Sequence, residues 1–126
     1  MQRWLKATTF IAAVLTTSLV ISQVEKKLAQ TERFPQFDNA DVKVWKTVIQ
    51  PNQPLSMHRH DHPRVIIALR GGTMNIVQQN GPTESNVWET GKAYWLPANP
   101  PNTLHADVNA GKEPIEVIVV ELEKEK

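Results

Sequence analysis

The sequence contains no cysteine among its 126 residues. This absence excludes a disulfide framework and every metal site built on thiolate ligands. Any metal ion that the chain binds must therefore be held by nitrogen and oxygen atoms. The absence of cysteine does not fix the compartment, because proteins without disulfides occur on both sides of a membrane.

The sequence also lacks an excess of charge of either sign. Its formal net charge is +1, and the charged residues of both signs are scattered along the chain. Without a basic stripe, nucleic acid is not an expected partner. The chain further lacks a nucleophile-elbow serine motif and a phosphate-binding glycine loop, and it is short for more than one domain.

The N-terminal part differs in composition from the rest of the chain. Arg3 and Lys6 precede residues 7–24, which carry no charge and are rich in Ala, Val, Ile, Leu and Thr. This order predicts an N-terminal hydrophobic helix within residues 1–30, acting either as a removed signal peptide or as an uncleaved membrane anchor. A buried helix of the fold is a third interpretation, although the run shows no polar face. Both main alternatives export the rest of the chain. A removed signal peptide would leave it in the periplasm or the medium, and an uncleaved anchor would hold it to the membrane by residues 7–24.

Residues 1–30 contain four basic side chains and one acidic side chain, so the exported remainder has a net charge of −2. Residues 31–40 are polar and are predicted to form a linker, or an arm that lies on the domain through Phe34 and Phe37. The domain itself is predicted to occupy residues 41–122, followed by a charged tail at 123–126.

The predicted domain reads as all-β. About eight short strands are separated by turn signals such as Asn80-Gly81-Pro82, at spacings typical of a sandwich or barrel. The predicted strands are 42–48, 55–60, 64–69, 73–78, 86–89, 93–96, 103–108 and 115–122. An antiparallel barrel suits a chain of this size, because closure removes exposed sheet edges.

Three of the four histidines lie on predicted strands. His58 and His60 are two residues apart, so on a strand both side chains point to the same face. His105 lies on a later strand, where it shares a face with Thr103 and Asp107. If these faces point inward, the three imidazoles can share a metal ion, whereas the alternative is three surface or packed histidines.

The residues around the first two histidines resemble the first motif of the cupin family. That motif is a glycine, five residues, His-x-His, three or four residues, a glutamate, six residues and a final glycine. His58 and His60 match the histidines, and Gly71 matches the final glycine. Asn52 stands in place of the first glycine, and Arg64 occupies the position of the glutamate.

The second family motif is also present with departures. Gly91 and Pro97 match at the family's spacing, and Asn99 replaces the next glycine. His105 comes three residues late, and Asn109 then follows it at the family's distance. The resemblance covers residues 41–122 and implies a single small cupin-type antiparallel β-barrel of jelly-roll character.

The resemblance implies one divalent transition metal (Fe, Mn, Ni or Zn) held by His58, His60 and His105. His62 is a further candidate as a fourth ligand, because it continues the alternation of the first two histidines. The family's carboxylate ligand is absent, since Arg64 cannot coordinate a metal. A three-histidine arrangement is similar to that of the thiol dioxygenases, in which an arginine receives the substrate carboxylate. Arg64 is therefore a candidate substrate-binding residue; alternatively it faces outward, or pairs with Glu84 or Glu89.

Two functions remain open from the sequence. The first is an exported metal-dependent enzyme, of oxygenase or isomerase type, acting on a small anionic substrate. The second is a non-catalytic module that binds a small ligand or a metal without turnover. The expected partners are a small molecule, the membrane only through an uncleaved N-terminal segment, and a second copy of the chain. For that homodimer, residues 115–122 are an apolar candidate edge strand.

Overall fold

The computed structural model describes residues 29–124 of the chain. Within these residues the regular secondary structure consists of strands. No helix in them is long and apolar enough to cross a membrane. The predicted N-terminal hydrophobic helix lies outside the described residues, so the signal peptide and the anchor both stay predictions. The end of the predicted charged tail, residues 125–126, lies outside them as well.

Eight antiparallel strands build the described part of the chain. Their bounds are β1 Glu32–Asp38, β2 Val42–Ile49, β3 Arg64–Arg70, β4 Gly72–Gln78, β5 Thr83–Trp88, β6 Ala93–Leu96, β7 His105–Asn109 and β8 Ile115–Leu122. They form a five-stranded sheet in the order β1-β2-β8-β3-β6 and a three-stranded sheet in the order β5-β4-β7. The all-β antiparallel architecture predicted from the sequence is confirmed.

The core lies between the two sheets, because both contribute side chains to one cluster. Trp45, Ile66 and Val117 come from the larger sheet, and Met74 and Trp88 come from the smaller one. Inward residues alternate along each strand with outward ones, as expected for two packed sheets. This alternation also directs some polar side chains into the barrel, and they contribute to the site described below.

Residues 32–38, within the segment predicted as a linker or as an arm lying on the domain, form the strand β1. β1 pairs with β2 along its length, with a bulge between Pro35 and Phe37. Arg33 lies directly opposite the buried Thr47 and therefore faces the barrel interior. Its polar composition concealed the strand, because an edge strand exposes much of its surface and needs few apolar residues.

The strand predicted at residues 55–60 does not form. The backbone here is instead bonded to β7 at two points. Leu55 N–H donates to the carbonyl of Asp107, and His58 exchanges two hydrogen bonds with His105. Only the His58–His105 contact is a β-bridge, and it is isolated. The histidines at 58 and 60 are therefore not placed by strand alternation.

β8 is a central strand, so its prediction as a dimer edge is wrong. It lies between β2 and β3, and both of its backbone edges are paired. Its outward face is apolar and belongs to a row across all five strands: Phe37, Val44, Val120, Val65 and Trp95 are successive cross-strand neighbours. The exposed apolar surface of this sheet is thus a face and not an edge, and the homodimer stays a prediction.

Candidate metal centre

The isolated bridge between residues 58 and 105 brings two imidazoles together. The backbone N–H of His58 donates to the carbonyl of His105 at 2.9 Å, and the reverse bond has the same length. Residues paired in this way project their side chains to the same face. The two rings lie 4.5 Å apart between centroids.

The third imidazole is positioned by the loop that precedes β7. Asn99 holds the backbone of His60 at two points: its side-chain oxygen accepts from His60 N–H at 2.7 Å, and its own N–H donates to the His60 carbonyl at 2.8 Å. The His60 ring is buried and lies parallel to Trp45, with centroids 6.4 Å apart. Asn99 stands where the family motif has a glycine, and it here positions a candidate ligand.

His58, His60 and His105 form one cluster in which a nitrogen of each lies within 4.8 Å of the others. The three residues singled out from the sequence are therefore brought together, although one of the two expected strands is absent. His62, the candidate fourth ligand, is not part of this group. Its neighbour Pro63 lies immediately before β3, and the charge of His62 acts on Glu121 instead.

Hydrogen bonds at Nδ1 leave the other nitrogen of two rings free. Nδ1 of His58 lies 2.6 Å from the carbonyl oxygen of Ser56, which can only accept, so this nitrogen carries the proton. Nδ1 of His60 lies 3.1 Å from a carboxylate oxygen of Glu121 and donates to it. When such a ring is neutral, its Nε2 offers a lone pair. A metal ligand oriented in this way by a carbonyl or a carboxylate is the common arrangement for histidine.

A carboxylate faces Nε2 of two of the three rings. One oxygen of Asp107 lies 3.5 Å from Nε2 of His58, and the other lies 3.8 Å from Nε2 of His105. Nε2 of His58 is buried and has no hydrogen-bond partner among the described residues. A lone pair and a carboxylate that face each other in a buried place are both electron-rich, and a cation between them would stabilise both.

Burial keeps two of the rings neutral. It lowers the pKa of His60 to about 2, with a further contribution from the positive charge of Arg64. It also lowers the pKa of His105, against the opposing effect of Asp107. Because His60 is neutral, its contact with Glu121 is a hydrogen bond and not an ion pair. Neutral imidazole is the form that binds metals.

Arg64 lies inside the barrel, which excludes the alternative that it faces outward. It is 7% exposed, and its guanidinium donates to the carbonyl of Pro97 at 3.3 Å. Burial lowers its pKa, while the carboxylates of Asp107 and Glu121 act in the opposite direction. Within residues 29–124 it forms no salt bridge with Glu84 or Glu89. A positive group therefore stands beside the histidine cluster.

Sequence reasoning missed Glu121. It follows Ile115, Val117 and Val119 at every second position of β8, and these three are buried in the core. That alternation was readable in the sequence and placed the carboxylate on the inner face. Burial raises the pKa of Glu121 above its usual range. The barrel thus has carboxylates at 107 and 121, although the position named by the family motif holds an arginine.

The residues present fit a divalent metal ion. Three imidazoles, an unpaired buried Nε2 and a facing carboxylate are nitrogen and oxygen donors of the kind that iron, manganese, nickel and zinc accept. Three protein ligands with a further position open are typical of catalytic sites rather than structural ones.

Solved structures resemble this barrel, whereas no family model and no curated protein matches the sequence. A cupin domain from Bordetella pertussis has a TM-score of 0.67 at 20% identity, covering 75% of this chain and 95% of its own. An RmlC-like cupin family protein with a double-stranded β-helix fold, from Methanocaldococcus jannaschii, has a TM-score of 0.58 at 14% identity. The match covers 74% of this chain and 80% of that protein. The polyketide cyclase RemF from Streptomyces resistomycificus has a TM-score of 0.55 at 21% identity. The match covers 75% of this chain and 66% of the cyclase. Likeness at these identities establishes a shared fold, which is the cupin fold implied by the two motifs.

Proposed function

We propose that this cupin barrel binds one divalent transition-metal ion through His58, His60 and His105 and presents it to a small anionic molecule. The observation that carries the proposal is the buried Nε2 of His58, which lacks a partner among the described residues and faces Asp107. Asp107 is well placed to compensate the charge of the ion. When bound, the ion would supply Lewis-acid or redox chemistry of the oxygenase or isomerase type.

The charge around the cluster supports an anionic substrate. Arg64 is buried beside the histidines, and its planar guanidinium can hold a carboxylate by two parallel hydrogen bonds. One structural neighbour is named as a polyketide cyclase, which supports an enzymatic role for a barrel of this fold. The alternative, a module that binds without turnover, is favoured by Arg64 standing where the family motif has a carboxylate ligand.

Elemental analysis of the purified full-length chain tests the proposal. We expect about one ion of iron, manganese, nickel or zinc per chain, which a chelator removes and the same metal restores. A chain that stays metal-free after incubation with each of these ions would overturn it. Incubation of the metal-loaded chain with small anionic thiols and diketones then separates the two functions: oxygen uptake, or conversion of the added molecule seen by NMR spectroscopy, supports the enzyme, and binding with neither supports the module.

The hydrogen bond from His60 to Glu121 predicts a smaller effect on the same site. Glu121→Gln keeps the size and the acceptor oxygen but removes the negative charge, so we expect metal affinity to fall about 10-fold. Competition with a chelator measures the change. Glu116→Gln is the matched control on the same strand, because Glu116 pairs with Lys46 away from the cluster. Equal affinity of both variants would contradict this role of Glu121.

A further inference from the structure

A cavity of about 450 Å³ opens beside the histidine cluster, on the side of β1. Its volume lies in the range of small-molecule sites. His60 and Glu121 form its inner wall, and Trp45 contributes aromatic surface. Because His60 belongs both to the wall of this cavity and to the histidine cluster, a molecule in the cavity would lie next to the metal centre.

The positive charges of this cavity are only partly neutralised. Arg33 lines it, forms no salt bridge within residues 29–124, and lies 5.8 Å from the ring centre of Trp45. Its charge lowers the pKa of both His60 and Arg64, so it acts on the centre of the site. Arg59, also in the wall, is paired with Asp61. Arg33 is thus a cation at the mouth of the site, held over an aromatic ring and available to an anion.

We propose that the cavity binds a small organic acid, with its carboxylate held by Arg33 rather than by Arg64, which does not line this cavity, and with its apolar part packed against Trp45. This inference rests on the proposed function, since it names the substrate class of the same site. Arg33 comes from β1, the segment that composition alone presents as a linker. The strand therefore has a role in binding as well as in extending the sheet.

Benzoate is a suitable probe, and benzamide is its neutral counterpart of the same shape. Calorimetric titration of the metal-free full-length chain is expected to show binding of benzoate at least 10-fold tighter than that of benzamide, because charge-assisted hydrogen bonds are the stronger ones. Arg33→Gln is expected to weaken benzoate about 10-fold or more. Arg70→Gln, at an exposed arginine on β3 that does not line the cavity, should leave benzoate affinity unchanged.

Three results would overturn the inference: no binding of benzoate, equal binding of both probes, or unchanged benzoate affinity in Arg33→Gln. Arg33→Lys keeps the charge and serves where the glutamine variant does not fold, with affinity expected between those of the wild type and Arg33→Gln. Metal content is measured on the same samples and should be normal in every Arg33 variant. Benzoate binding by a chain that never takes up metal would overturn the metal proposal alone, and metal binding without benzoate binding would overturn this inference alone.

Discussion

Replacing His105 with alanine is expected to reduce metal content from about one ion per chain to a trace. His105 is 3% exposed and the bridge fixes its backbone beside that of His58, so its replacement leaves the cluster with two imidazoles. Losing a ligand should cost more than the roughly 10- to 100-fold in affinity that follows loss of a ligand's hydrogen-bond partner. His58→Ala is expected to have the same effect, since it removes the unpartnered Nε2. Elemental analysis after dialysis, with chelator competition for the residual affinity, measures both variants.

His62→Ala is the matched control for the two ligand variants. It removes an imidazole four residues from His58 but outside the cluster, so metal content should remain normal. Circular dichroism of the metal-free proteins shows whether each variant still folds. Full metal content in a folded His58→Ala and a folded His105→Ala would reject the three-histidine centre, and loss of metal in His62→Ala would reject the assignment of the ligands.

Substituting alanine for Gly71 is expected to lower the free energy of unfolding by about 3 kcal/mol, at the upper end of the usual cost of overpacking. A Cβ atom at this position would lie 2.0 Å from the carbonyl oxygen of Trp88 and 2.8 Å from the backbone nitrogen of Thr90. Both neighbours are backbone, so no side-chain rotation relieves the overlap and the turn after β5 must move. Such a loss is a large part of the free energy of unfolding of a typical domain, which is about 5–15 kcal/mol.

Urea unfolding in the presence of a chelator measures this effect, because bound metal would otherwise add to the stability. Gly81→Ala is the control, since its added Cβ would meet only the side chain of Gln78 at 3.4 Å. We expect that variant to stay within about 1 kcal/mol of the wild type. A Gly71→Ala protein as stable as Gly81→Ala would mean that the close approach of the backbone does not constrain the fold. The prediction also gives a physical reason for the glycine that ends the first motif.

Much of the barrel could be predicted from local pattern. The bounds of β6 and β8 agree with the prediction, and β3 and β4 agree within one residue, because alternating apolar residues between turns are a local property. Side-chain alternation holds on β6 as well, where Tyr94 packs against the core while Trp95 is 59% exposed. β1 escaped prediction because an edge strand needs a partner more than it needs apolar residues.

The candidate site was predicted in its members but not in the way they meet. His58 and His60 were paired by an alternation that the chain does not have, since residues 55–60 form no strand. Their convergence depends on hydrogen bonds from His58 to His105 and from His60 to Asn99, which are 47 and 39 positions apart in sequence. Bonds of this kind follow from the path of the chain and have no local signature.

The sequence by itself determined the class of fold, the two motifs and the three histidines, because composition, strand period and motif spacing are properties of neighbouring residues. It also excluded thiolate ligands through the absence of cysteine. Only the tertiary structure decided that Arg64 is buried, that Glu121 orients His60, and that Arg33 faces the cavity. Each of these depends on which strands pair and in which register, and pairing is fixed by the packing of the whole barrel.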